Sequence, residues 1–381
     1  MDKISPERIR RIRIWSPGKE PTQITPYDES GNGVPLIDLA SNDYLAISRH
    51  PDLIQAARNS LLKDGVGAGS SRLITGSRAI HKELEEELGE WIGKERIFLF
   101  PSGFQANLAA VLALANRNTI IIADRMIHHS LLLGVKASGG KLYRYLHNDM
   151  SDLEKILKKC KTTKSNNDLL VISESLFSME GTSPDLPTIA QLSKKYGARV
   201  LIDEAHALGT MGPQGKGLAH NISEQISIIT GTFGKAFGSG GAFLGCDNYL
   251  GEHLLQNSGA FRYTTALAPS LAAASLTALN LIKQHPEWVE ELQKEAERWR
   301  GQIHKNGLAK PPGTGPILSL ILGSDKRALD AEKSLEWAGM ASIAIRPPTV
   351  PEGSSRIRIV LRRGLPQGTL NKLIDTLNQK K

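Results

Sequence analysis

The chain has 381 residues, 40% of them hydrophobic and 23% charged, with 36 glycines and 19 prolines. That is a globular composition, and it excludes collagen-like, disordered and disulfide-scaffold chains. At roughly 150 residues per domain the length predicts two or three folding units, or one large catalytic domain with a satellite. Lysine and arginine number 47 against 39 acidic residues, giving +8, which favours anionic partners. Nucleic acid is not expected, because the basic residues are scattered and no zinc-finger, helix-turn-helix or RNA-recognition signature is present.

The first residues, MDKISPERIRRIRIWSP, lack the apolar run of a secretory leader and predict an amphipathic helix within an N-terminal segment, residues 1–45. GVGAGSSR at 65–72 fails as a dinucleotide turn, since Ser70 stands where G-x-G-x-x-G needs its last glycine. From about residue 80 to 245, amphipathic stretches alternate with short apolar runs. RIFLF, TIIIAD, LLVISES, ARVLIDEAH and ISIITGTFG read as buried strands. HKELEEELGEWIG, FQANLAAVLALA, HSLLLGVKAS, SDLEKILKKC and TIAQLSKKYG read as helices between them. The alternation predicts an α/β fold, a mainly parallel sheet flanked by helices, in a large domain spanning 46–285. Two long helices follow, PSLAAASLTALNLIKQH and PEWVEELQKEAERWRGQIHKNG, the second opened by Pro286 and closed by Gly307. The remaining strand and helix patterns predict a small C-terminal αβ domain over 286–381. No run approaches the roughly 18 uncharged apolar residues of a membrane span. Cys160 and Cys246 read as free thiols in a reducing compartment, and a cytoplasmic location is expected.

In parallel sheets ligands sit beyond the carboxyl ends of strands, so polar residues after each apolar run are the first candidates. After RIFLF, the amides of Gly103 and Phe104 open a helix, where unpaired donors and the helix dipole suit a phosphate; an ordinary Ser102 cap is the alternative. After TIIIAD come His128 and His129, without a third ligand at metal spacing, so no metal is expected. An imidazole stacked on a flat heterocycle competes here with a plain loop histidine. Ser178 in SLFSMEG and Thr232 in TGTFGK add hydroxyls at strand ends. The run VLID delivers Asp203, followed by His206; D-E-A-H without a Walker lysine is no helicase box. A buried carboxylate there can keep a ring nitrogen protonated. Lys235 lies in a glycine-rich turn that fails as a P-loop, because position 229 is Ile and Ala236 follows the lysine. The alternatives are an exposed lysine and a desolvated amine able to form a Schiff base. One lysine, one carboxylate, two imidazoles and a phosphate cradle at one sheet edge match pyridoxal 5'-phosphate, whose aldehyde, ring nitrogen and phosphate need those groups.

On these motifs the chain resembles the α-oxoamine synthases, pyridoxal-phosphate enzymes of fold type I, from SNDYLAIS (41–48) through RIRIVLRR (356–363). SSRLITGSRAIHKELE (70–85), LHNDMSDLE (146–154) and IRPPTVPEGSSRIRI (345–359) are similar to the branch that condenses L-alanine with a pimeloyl thioester, carried on coenzyme A or on acyl carrier protein. The resemblance implies that Lys235, His128 and Asp203 are catalytic and that Gly103, Phe104, Ser178, His206 and Thr232 complete the cofactor site. It further implies that His128, Thr349 and Arg358 contact substrate, with Arg358 on the amino-acid carboxylate. One more arginine near the N-terminus is implied, and Arg8, Arg10, Arg11 and Arg13 all remain open. A homodimer with residues 65–76 reaching across is implied as well. A glycine-using relative and a non-catalytic binding protein on the same fold are the competing readings.

Overall fold

The structure is a computed structural model that describes residues 5–29, 33–162 and 168–379. The chain divides into two compact units, one of Ser48–Phe177 and Ser183–Pro286, the other of Met1–Ile47, Ser178–Thr182 and Glu287–Lys381.

The first unit is built on a seven-stranded sheet. Across it lie, in order, Arg96–Phe100, Ala242–Cys246, Ile228–Thr232, Ala198–Asp203, Asp168–Glu174, Thr119–Asp124 and Lys141–Tyr145. Ala242–Cys246 runs antiparallel to both neighbours and the other pairings are parallel. Six strands therefore end at one edge. The sheet is covered on both faces, so the central strands are apolar nearly throughout: every residue of Thr119–Asp124 is buried. Local chemistry sets the helix limits. Asp185 accepts the Thr188 amide at the start of Leu186–Tyr196, with Pro187 in its first turn, and Gly197 ends it in the left-handed region at φ 71°.

Five strands of this sheet coincide with the apolar runs. Lys141–Tyr145 and Ala242–Cys246 were not predicted. The former is an edge strand, and its Lys141 and Arg144 are exposed, the charge pattern that keeps an open edge from pairing with another chain.

The second unit holds an antiparallel sheet in the order Ile317–Gly323, Ser355–Val360, Ile343–Ile345, together with helices Asp325–Trp337 and Thr369–Asn378. A second sheet joins Trp15–Pro17, Gln23–Pro26, Leu36–Asp38 and Met340–Ala341, the last two in parallel. The expected N-terminal helix is absent among the described residues. Only a short 3-10 turn, Pro6–Arg8, forms, and extended chain and strands follow. Its arginines find carboxylates on the C-terminal residues instead. Arg8 pairs with Asp325 at 2.8 Å and Glu352 at 2.6 Å, and Arg13 with Glu336 at 2.6 Å.

Candidate functional site

In the first unit the predicted residues gather at the shared strand edge. Asp203 and Thr232 are the last residues of their strands, while Gly103 and His128 follow the strands Arg96–Phe100 and Thr119–Asp124. Asp203 is 6% exposed and held at both oxygens, by the Ala205 amide at 2.9 Å on Oδ1 and by Asn107 Nδ2 at 2.7 Å on Oδ2.

Lys235 sits half-buried in a tight turn closed by Gly238 N–H donating to its carbonyl at 2.9 Å and by Phe233 N–H donating to Gly241 O at 2.9 Å. Phe233, Ala236 and Phe237 are buried and anchor the turn. The loop after Asp203 packs onto it. A Cβ on Gly209, at φ 76°, would lie 2.7 Å from Ala236 Cβ, so only glycine allows that approach. His206, on this loop, is 6% exposed, and its carbonyl accepts the Thr210 hydroxyl at 2.6 Å.

Gly103 opens the helix Gly103–Leu114, capped by Ser102, whose hydroxyl accepts the Gln105 amide at 3.3 Å. The amides of Gly103 and Phe104 precede that capped position and have no partner within the helix. A Cβ on Gly103 would stand 3.7 Å from Thr232 Cβ. The helix start and the strand end thus form one cradle, narrowed by any larger residue. The cap Ser102 and the anion-type helix start coexist, because the cap uses only the third amide.

His128 caps the helix His129–Ser138 through Nδ1, which accepts the Ser130 amide at 3.3 Å and meets Ser130 Oγ at 2.7 Å. Burial lowers the imidazole pKa; the Asp203 carboxylate opposes this, while Lys235 and His129 add to it. The imidazole thus lies within electrostatic range of both the lysine and the aspartate. Among the described residues no cluster suited to a metal ion is found.

The second unit holds the other predictions. Arg358 is 4% exposed, and donates from Nε to Ser178 O at 2.7 Å and from Nη2 to Asn42 Oδ1 at 2.9 Å. Those partners are neutral. Its neighbour Arg356 is instead neutralised by Glu180 at 3.1 Å. Beside Arg358, burial pushes the Tyr44 phenol up to about 12, against the pull of that guanidinium. Ser178 therefore belongs with Arg358 in this unit. Thr349 is exposed and its hydroxyl accepts from Arg10 Nη2 at 3.2 Å. Of the four N-terminal arginines, Arg8 and Arg13 are occupied by carboxylates, and Arg10 is the one seen to reach a predicted substrate contact.

Sequence reasoning missed Asn107, Ser130, Thr230 and Glu204. The one signal for Asn107 was a polar amide, two residues after Gln105, inside the otherwise apolar helix sequence GFQANLAAVLAL.

Residues 34–377 match the class I and II aminotransferases. The chain belongs to that family. Among curated family members, it is 38% identical over 349 residues to the 8-amino-7-oxononanoate synthase of Stutzerimonas stutzeri, covering 91% of this chain and 88% of that one. The same enzyme of Methylococcus capsulatus is 36% identical, covering 91% and 89%. Among solved structures, serine palmitoyltransferase of Sphingomonas wittichii superposes with a TM-score of 0.90 at 27% identity, covering 96% and 91%. The 8-amino-7-oxononanoate synthase of Francisella tularensis gives 0.78 at 26%, covering 91% and 97%. Members of this aminotransferase family work with pyridoxal 5'-phosphate. The residues fit that group: an amine in a tight turn, a buried carboxylate at a strand end, an imidazole within electrostatic range of both, and a glycine-floored helix start.

Proposed function

We propose that this chain is an 8-amino-7-oxononanoate synthase of biotin biosynthesis, joining L-alanine to a pimeloyl thioester with release of carbon dioxide and free thiol. The observation that carries the chemistry is the Lys235 turn set beside Asp203 and His128 at one sheet edge. The names shared by relatives over nine-tenths of the chain select the substrates.

Pyridoxal phosphate, when bound, supplies the electron sink for a carbanion at alanine Cα. Lys235 would hold it covalently and, as a free amine, would take the α-proton of alanine and later return one. Asp203 would hold a proton at the ring nitrogen, His128 would stack on the ring and touch substrate, and His206 would bond the ring hydroxyl. Gly103, Phe104 and Thr232, all in the first unit, would receive the phosphate and ring edge. Arg358, whose fork has neutral partners among the described residues, would take the alanine carboxylate, and Thr349, whose hydroxyl accepts from Arg10 Nη2, would be a further substrate contact. In the overall balance a bond forms between alanine Cα and the acyl carbonyl, the thioester C–S bond breaks to give free thiol, and the alanine carboxylate leaves as carbon dioxide. A net charge of +8 suits coenzyme A and an acidic acyl carrier protein alike.

We further propose a homodimer. Val66 and Ile74 are 83% and 75% exposed, and Tyr263 is 81% exposed on a segment joined to theirs by the Ser71–Thr265 bridge. Burying such an apolar strip against a second copy is the favourable use of it.

The test is incubation of the holoprotein with alanine and pimeloyl-coenzyme A, with mass spectrometry of the product. An amino ketone one carbon dioxide lighter than the summed acyl and alanine parts is expected. Turnover with glycine and not alanine would overturn the substrate assignment, and a chain that stays colourless with cofactor would overturn catalysis.

A further inference from the structure

We propose that Asn107 and Ser130 are positioning residues that tie the Asp203 carboxylate to the His128 imidazole and hold that ring as its Nε2–H tautomer. The inference rests on the proposed function only for the duties of Asp203 and His128; the network itself is independent of it.

Five polar side chains form a continuous network inside the first unit. Asn107, Ser130 and Thr230 are 4%, 0% and 2% exposed. Thr230 Oγ1 donates to Asn107 Oδ1 at 2.7 Å. Asn107 Nδ2 spends its two hydrogens on Asp203 Oδ2 at 2.7 Å and Ser130 Oγ at 3.0 Å. Ser130 Oγ lies 2.7 Å from His128 Nδ1.

The direction of every bond is determined. Reversing the Asn107 amide would aim its oxygen at the Asp203 carboxylate, two acceptors face to face, and its nitrogen at the Thr230 hydroxyl. With the amide so fixed, Ser130 Oγ receives an N–H and has its own hydrogen left to give. The acceptor it meets among the described residues is His128 Nδ1, at 2.7 Å. The Ser130 backbone amide, a donor without alternative, points at that same nitrogen at 3.3 Å. Nδ1 therefore faces two donors and must be the unprotonated nitrogen, and a neutral ring carries its proton on Nε2.

Around the ring stand the charges of Asp203, Lys235 and His129, and burial disfavours a second proton. The neutral tautomer is thus the form that the network has to choose. One amide thereby orients both the group assigned to the cofactor nitrogen and the group assigned to stack on the ring. A purely structural role, gluing the helix Gly103–Leu114 to its strand, would leave the state of His128 untouched by changes at position 107.

The experiment is nitrogen NMR on full-length protein labelled at histidine, with pyridoxal phosphate and after its removal. His128 is assigned by its disappearance in His128→Asn. Wild type is expected to show one acceptor Nδ1 and one protonated Nε2. Ser130→Ala removes the hydroxyl link, and Asn107→Asp turns one donor at the Ser130 end into an acceptor that draws the hydroxyl hydrogen away from the ring. Each variant should shift the tautomer ratio of His128 toward Nδ1–H by roughly tenfold, the worth of about one hydrogen bond. Unchanged His128 nitrogens in a folded Ser130→Ala protein would overturn the proposal, and this variant decides alone if Asn107→Asp does not fold. A protein inactive with alanine and pimeloyl thioester whose His128 nitrogens still respond would sink the proposed function and leave this inference standing.

Discussion

Glu204, next in sequence to Asp203, is 1% exposed. Its oxygens accept the amides of Ala219 at 2.5 Å and Leu218 at 3.1 Å, pinning the loop that returns from Gly212. Burial raises its pKa from 4.5 to about 7, the amide bonds and Ser175 oppose the rise, and the Asp203 charge adds to it. A carboxyl with a raised folded pKa contributes fully to stability below its unfolded pKa, where both states are protonated. As pH climbs only the unfolded chain ionises, and the contribution is lost until the folded group ionises too near pH 7. The full loss for a shift of this size is roughly 3 kcal/mol, of which roughly 2 kcal/mol falls between about pH 5.5 and about pH 8.5.

Glu204→Gln removes this titration while keeping the shape. The variant should be less stable at pH 5.5, by about 1–3 kcal/mol, because its NH2 must face one of the two amides. Its deficit should shrink by roughly 2 kcal/mol on going to pH 8.5, since all other groups titrate alike in both proteins. Urea unfolding of both proteins at the two pH values measures the double difference directly. Parallel pH profiles, agreeing within about 0.5 kcal/mol, would refute the claim that this carboxyl folds protonated.

His81 gives the opposite slope. Burial lowers its pKa to about 4, and Nε2 bonds Leu267 O at 2.8 Å, so its contribution is present above pH 6.5 and fades as pH falls. Wild type should lose roughly 2 kcal/mol between about pH 7 and about pH 5 that His81→Gln does not lose; equal unfolding slopes would contradict this. A Cβ on Gly134 would lie 2.8 Å from Val111 Cβ, so Gly134→Ala should cost about 1–3 kcal/mol by overpacking, less the helix gain of about 1 kcal/mol. Thermal unfolding of Gly134→Ala with Val111→Ala should recover part of it, and no recovery would point away from that contact. Arg358→Lys keeps the charge but loses the two-pronged donor, and should raise KM for alanine by about tenfold to a hundredfold. An unchanged KM in steady-state assays would remove Arg358 from the substrate site.

The strands that sequence made legible are those buried on both faces, because burial leaves a continuous apolar run: TIIIAD and LLVISE could hardly be anything else. KLYRY was hidden by the exposed Lys141 and Arg144 that protect its edge, and AFLGC by the glycine-rich turn before it. The RIRRIRIW segment looked helical because its partners are invisible locally. Arg8 reaches Asp325 across 317 positions and Glu352 across 344.

The same division runs through the site. Lys235 and Asp203 announce themselves by charge at the ends of apolar strands, where a bare charge needs a reason. The groups that aim them are neutral, and a neutral asparagine in a helix carries no such signal. Asn107 acquires its meaning only from Asp203, 96 positions on, and Thr230, 123 positions on. What a chain can do is therefore readable from isolated charged residues, while the geometry that makes it do so resides in uncharged hydrogen-bonding side chains whose partners only the folded sheet brings together.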